Sequence, residues 1–327
     1  QRIADAPPQV DIGHYRYRPR RCGELQPMRN LRQTQLPGEE VEFQHMIRKG
    51  LSGGSFKPLS EESIRMVHQT AMQVIEEVGF EVNSETALEL FKRAGARVDQ
   101  EKRRVCLSQK KAMELIEMAP SEVRLCGQDE KNDIILGGSR VYTGTGGTAL
   151  YIYHPDTGQK QPATLDDLKR IAKLVERLDI IHLFLLPTYP NDLPFEQIDV
   201  NRFFAGLDNT TKHIMGGVYT PDGVKQVIRM AEIIAGSAER LRQRPLLSII
   251  ACTISPLKID SQYGDVLVSI AKSGIPVACP AEPLCGATSP VTLAGNLVIQ
   301  TVDCLRGGVR TDRVNPPRAV IFGSVAT

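Results

Sequence analysis

From Ser60 onward the apolar positions fall into two alternating periods. Ile64, Val67, Ala71, Val74, Ile75 and Val78 recur at helical spacing behind Ser60, whose hydroxyl suits an N-cap, and Gly79 stops the run. Ser84 opens a second helix with Ala87, Leu88 and Phe91 on one face and Gly95 just past its last turn, and SQKKAMELIEMAPS predicts a third from Ser108 to Pro120. The pattern then shortens to VRLCG, DIILGG, SRVYTG and ALYIYHPDTGQK, which read as short strands with a tight turn at Asp156-Thr157-Gly158.

After that the rhythm lengthens. The helix TLDDLKRIAKLVERLD leads to the strand HLFLLPTYP, a helix near 196–208 to HIMGGVYT, and PDGVKQVIRMAEIIAG to PLLSIIACT. Next, DSQYGDVLVSIAKSG leads to IPVACPAE and PVTLAGNLVIQTVDCL to AVIFGSVAT. Continuous apolar strands alternating with helices predict an α/β fold with a parallel sheet, covered on both faces or closed into a barrel. The expected organisation is a basic, irregular leader and linker over 1–58, a helical and short antiparallel-strand region over 59–160, and a partial (β/α) barrel over 161–327. Ser255-Pro256 and Ser289-Pro290, each following an apolar strand, read as helix starts in a repeated βα layout.

Composition narrows the function. A chain of 327 residues can bury a substantial core, and its formal net charge of +2 argues against a nucleic-acid groove. The basic excess concentrates in the first forty residues, around HYRYRPRRCGEL, and reads as a solvated leader. No window approaches the ~18 apolar residues of a membrane helix and no signal-peptide core is present, so no membrane association and a cytoplasmic location are expected. The seven cysteines lack paired metal-site spacing, and several sit in strand-like apolar runs, so neither a disulfide framework nor a metal site is expected.

The candidate chemistry lies at the strand ends, where (β/α) barrels build their sites. Glu282, following IPVACPA, can face a cation or act as a general base. Tyr189 and Tyr219 offer π faces, and Thr253, Ser255, Cys285 and Ser289 complete a substrate-binding set. The stretch GTGTGGTAL precedes LYIYHP rather than a helix, so Gly144, Gly146 and Gly147 serve a hairpin or a close backbone approach and not a phosphate loop.

The succession LSEESIRMVHQTAMQVIEEVGFEV, RVYTGTGGTALYIYHPDTG, CTISPL and GATSPVTLAGNLV resembles the trimethylamine methyltransferase family over residues 58–327. That resemblance implies a (β/α)8 TIM-type barrel that takes a methyl group from trimethylamine or a quaternary amine such as glycine betaine. The acceptor it implies is the Co(I) corrinoid of a cognate partner protein, with no cofactor bound directly by this chain; a homo-oligomer is left open. Within that reading Glu282 is the catalytic candidate, lining the pocket with Tyr189 and Tyr219. Some members carry pyrrolysine, at a position expected beyond residue 327.

Two departures stand out. Only about five strands of an eight-stranded barrel precede Thr327, so the chain reads as a C-terminally truncated barrel. In DCLRGGVRTDRVNPPR, Gly307, Gly308 and three arginines, Arg306, Arg310 and Arg313, break an otherwise apolar helix, which reads as a frame disturbance or local divergence. Two other readings are carried forward: an aldolase or hydrolase on the same barrel, which needs a lysine or a His/Asp arrangement at the strand ends, and a non-catalytic amine-binding scaffold.

Overall fold

The computed structural model describes residues 48–252, 254–308 and 320–324. Along the chain, β1 (Leu51–Ser52) precedes α1 (Glu61–Gln73), whose end continues as a π-helical turn over Val74–Val78. Then come β2 (Phe80–Val82), α2 (Glu85–Arg93), β3 (Arg97–Asp99), β4 (Arg104–Cys106) and α3 (Gln109–Glu117). The short strands β5 (Val123–Leu125), β6 (Ile134–Leu136), β7 (Arg140–Val141), β8 (Tyr151–Tyr153) and β9 (Lys160–Pro162) follow. The alternating part runs α4 (Leu165–Glu176), β10 (Leu183–Leu185), α5 (Phe195–Asn209), β11 (His213–Gly217), α6 (Pro221–Ala235), α7 (Ala238–Gln243) and β12 (Leu247–Ile250). It ends with β13 (Lys258–Ile259), α8 (Ser261–Ser273), β14 (Val277–Ala281), α9 (Leu293–Gly308) and β15 (Val320–Ser324).

The helix boundaries follow local chemistry. Ser60, Ser84 and Ser108 each accept the N–H of the third residue onward, satisfying a donor that the first helical turn leaves free. Thr164 and Asp167 form a reciprocal capping box at α4. Gly79, at φ +67, makes the left-handed stop, and a Cβ there would stand 2.2 Å from the Val105 carbonyl oxygen. The expected linker does contribute regular structure: β1 pairs antiparallel with β7, and the Tyr142 hydroxyl donates to the Arg48 carbonyl at 3.0 Å. Residues 1–47, which include the expected basic leader, lie outside the described residues.

In the central sheet the strand order β10-β11-β12-β14-β15 is the chain order, and every pairing is parallel. Crossovers of one hand that always advance in one direction put their helices on one face. The side chains agree. Phe184, Ile214, Leu247, Ile249, Val277 and Cys279 join the helices in the main core, whereas Leu183, Met215 and Ile321 turn the other way and pack on Val123, Leu125 and Ile134 of the β5–β6 hairpin. The result is an open, barrel-like parallel sheet with helices outside and a hairpin within. The glycine-rich stretch extends it: Gly144 and Ala149 bridge in parallel to Leu183 and Thr188 along the free edge of β10. A Cβ at Gly147 would lie 2.8 Å from the Leu186 carbonyl oxygen, so close backbone approach is what this glycine permits.

A second core lies under the N-terminal helices. Phe80 and Phe91 meet edge to face at 5.1 Å, each fully buried and contributing roughly 1.5–3 kcal/mol by transfer alone. Val302 and Leu305 of α9 join that core, and β13 adds in parallel to β2 in the sheet β13-β2-β4-β3. The loop after β12 is thereby tied to the N-terminal layer.

The Ser-Pro pairs are not the helix starts that their position suggests. Asp260 caps α8, and the Thr292 hydroxyl accepts the Gly295 N–H at 3.2 Å near the start of α9. Ser255 instead donates to Asp303, and Ser289 to the Leu284 carbonyl at 3.0 Å. The expected break at Gly307 and Gly308 falls on the last two residues of α9, and residues 309–319, which hold the rest of that stretch, lie outside the described residues. α9 runs through to Gly308, with Asp303 and Arg306 forming a fully buried ion pair at 2.8 Å; Arg310 and Arg313 lie outside the described residues.

Candidate functional site

The C-terminal ends of β10, β11, β12 and β14 open on one mouth, and two expected residues meet there. Tyr189 and Tyr219 stack edge to face with ring centroids 5.7 Å apart, and Phe195, the first residue of α5, lies 6.3 Å from Tyr219. Two rings after successive strands and one at the start of the helix between them form a partly exposed π surface.

Glu282 stands at the end of β14 with its carboxylate in solvent. Its charge reaches Cys252: burial, with Glu282 adding to it, pushes that thiol up to about 11. Cys252 is therefore a protonated thiol at neutral pH and not a nucleophile. Tyr263 of α8 joins the two halves of the mouth, its hydroxyl pushed up by burial and by the proximity of Cys252 and Tyr219. Cys285 is exposed in the turn that brings it alongside Ser289. Ser289 is engaged on both sides, donating to Leu284 and accepting from Asn296 at 2.7 Å, while Ser255 faces Asp303. Thr253 lies outside the described residues.

Behind the rings is a residue that strand-end reasoning misses. Arg202 of α5, fully buried, donates from Nε to the Thr188 carbonyl at 3.1 Å. Its Nη1 donates to the Gly217 carbonyl at 3.4 Å and the Tyr219 hydroxyl at 3.2 Å, and its Nη2 to the Leu186 carbonyl and the Thr148 hydroxyl, both at 3.2 Å. All five of its N–H groups are used. One turn earlier Asp199 accepts the backbone N–H of Tyr219 at 2.9 Å and of Thr220 at 3.1 Å. The available signal was the spacing: IDVNR in α5 and VDCLR in α9 place Asp and Arg three apart on one helix face.

A second set of buried polar groups, Lys212 and His213 among them, sits at the opposite end of the sheet. Lys212 extends its ammonium to the carbonyls of Val175, Leu178 and Ile181 at 2.6–2.7 Å, closing the C-terminal end of α4. All three of its protons are thus committed away from the mouth, which removes it as the Schiff-base lysine of an aldolase. A cavity of about 440 Å³ bounded by Gln128, Arg240, Gln243, Arg244 and Leu246 also lies at that end, where barrel-type sheets carry stability rather than chemistry. Among the described residues no group of three or more His, Cys, Asp or Glu side chains is placed to hold a metal ion, and no helix is long and apolar enough to cross a membrane.

The chain's similarities to known proteins bear on this mouth. The family model described as Trimethylamine methyltransferase (MTTB) matches residues 28–327. The chain is similar to Trimethylamine methyltransferase MttB of Desulfitobacterium hafniense (strain DSM 10664 / DCB-2), 33% identical over 285 residues that cover 86% of this chain and 58% of that protein. It is similar also to Glycine betaine methyltransferase of Desulfitobacterium hafniense (strain Y51), 29% identical over 269 residues, 82% of this chain and 56% of the relative. Among solved structures it resembles that of the hydroxylamine MtmB complex with a TM-score of 0.50 at 10% identity, over 81% of this chain and 58% of that one. That last likeness concerns the fold alone. The chain spans 56–58% of the length of these curated relatives.

Proposed function

Because this chain belongs to the trimethylamine methyltransferase family, we propose that its mouth holds a methylated amine and directs one methyl group to the Co(I) corrinoid of a partner protein. The parallel sheet is then part of an eight-stranded barrel. The observation that carries the reading is the triad of rings, Tyr189, Tyr219 and Phe195, at the same end of the sheet as the exposed carboxylate of Glu282. A quaternary ammonium is attracted to π faces and to a carboxylate.

The demands on the protein are modest in chemistry and strict in position. Loss of methyl from a quaternary ammonium, or from trimethylamine bound as its protonated ammonium, leaves a neutral amine, so no further acid is needed; the mouth must strip water from the cation and aim one C–N bond outward. Tyr189 and Tyr219 replace the lost water with π faces, and Glu282 balances the charge without becoming a proton donor. A Co(I) corrinoid supplies, when docked, the nucleophile that accepts the methyl group. The exposed apolar side chains of Ile254, Leu284 and Val291, on loops at this end of the sheet, and of Leu293, the first residue of α9, fit a surface that meets its carrier protein.

The test is single-turnover transfer from trimethylamine, tetramethylammonium or glycine betaine to Co(I) cobalamin, followed by the loss of Co(I) absorbance. One methylated amine is expected to react with the wild-type chain, and Glu282→Gln to lower kcat/KM about tenfold, equivalent to about 1.4 kcal/mol. Transfer no faster than without protein for every amine contradicts the reading, and unchanged turnover and binding in Glu282→Gln removes that residue from the site.

A further inference from the structure

Tyr219 is held at both ends, by Asp199 at its backbone nitrogen and by Arg202 at its phenol oxygen. We infer that Asp199 and Arg202 are positioning residues for the aromatic mouth, and that Asp303 and Arg306 repeat the same device for the loop that follows β12. The Arg202 guanidinium gathers three pieces of chain at the mouth: the glycine-rich segment through Thr148, the end of β10 through Leu186 and Thr188, and the end of β11 through Gly217 and Tyr219. A fork with five fixed donors can span three segments where a single ammonium cannot. The space around Asp199 is equally committed, since a Cβ at Gly223 would stand 2.1 Å from its Oδ2.

The second copy has the same layout on α9. Asp303 accepts the Leu257 N–H at 3.0 Å and the Ser255 hydroxyl, and Arg306 donates to the Ile254 carbonyl at 2.8 Å. In each copy the aspartate takes donors from a strand-end loop while the arginine, one turn later, takes its carbonyls. The copies differ in their cargo: the first holds a ring of the mouth, the second holds residues 254–257. This inference adds to the proposed function what fixes its π faces, and it rests on that reading only for the ligand used below.

The chain has eight tyrosines and no tryptophan, so near-ultraviolet circular dichroism reports tyrosine packing directly. Arg202→Lys keeps the charge and loses the fork. It is expected to remove a large part of the tyrosine band, to change nothing further in a Tyr219→Phe background, and to weaken tetramethylammonium binding about tenfold. Arg306→Lys is expected to lower thermal stability while leaving band and binding within twofold of wild type. Thr148→Val, a gentler loosening, reads the same band should Arg202→Lys fail to fold, and a partial loss is expected. A wild-type band in a folded Arg202→Lys, or in Thr148→Val where Arg202→Lys does not fold, overturns the inference, as does equal loss in Arg306→Lys. Wild-type protein that ignores tetramethylammonium counts against the proposed function alone, and the band then decides the positioning role.

Discussion

Asp303→Ala is expected to lower the unfolding free energy by about 3–5 kcal/mol, the cost of leaving a buried charge without its partner. Asp303 and Arg306 are both fully buried, 2.8 Å apart, and the two remaining donor atoms of Arg306, Nε and Nη1, have no hydrogen-bond partner among the described residues. Burial draws the Arg306 guanidinium down to about 10, which still leaves it charged at neutral pH. Losing Asp303 therefore strands a cation in the interior and releases Leu257 and Ser255 together. Urea midpoints of the single variant and of Asp303→Leu/Arg306→Met measure this. Recovery of most of the loss in the double variant is expected, because an apolar pair carries no desolvation cost. A single variant within 1 kcal/mol of wild type contradicts the argument.

The second large effect is acid sensitivity centred on His213. Its Nδ1–H points to the carbonyls of Cys126 and Pro245, at 3.0 and 3.1 Å, while Nε2 accepts from the Ser248 hydroxyl at 2.9 Å, an arrangement that suits the neutral ring. Burial pulls this histidine down to about 4 from an ordinary 6.5. Between those values the unfolded chain binds a proton that the folded chain refuses, so stability falls as pH drops from about 6.5 to about 4, by about 3 kcal/mol in all. Above that window the residue is neutral in both states and makes no difference. His213→Gln, which cannot titrate, is expected to flatten the dependence of the urea midpoint on pH across the window. An unchanged slope would place the acid sensitivity elsewhere.

Much of the architecture is legible because it is written in short-range chemistry. Ser60, Ser84 and Ser108 cap helices whose hydrogen bonds close within three residues, and the alternation from Thr164 onward needs only the change of period from helix to strand. Tyr189 and Tyr219 could be brought together on paper because each ends an apolar strand and adjacent parallel strands present their ends side by side.

What was hidden depends on distance along the chain. Ser255 looks like a helix cap until Asp303, forty-eight residues later, accepts its hydrogen bond. The glycine-rich stretch carries no side-chain period, so its place on the edge of β10 shows only in its backbone partners. Arg202 escaped because a charged residue inside a helix reads as a solvated face, whereas here every donor turns inward. Asp303 and Arg306, at the start of the stretch that reads as a local divergence, form the same device with partners far along the chain.

The most direct measurement is thermal unfolding of this chain with trimethylamine, tetramethylammonium, glycine betaine, carnitine, proline betaine and unmethylated glycine. Selective binding to the folded state must raise the transition, by about 2.7 kcal/mol at a hundred times the dissociation constant. The account predicts that one methylated amine raises it, that unmethylated glycine does not, and that Tyr219→Ala abolishes the rise. Equal shifts with methylated and unmethylated amines, or a rise that survives Tyr219→Ala intact, would contradict an aromatic mouth built for a methylated cation.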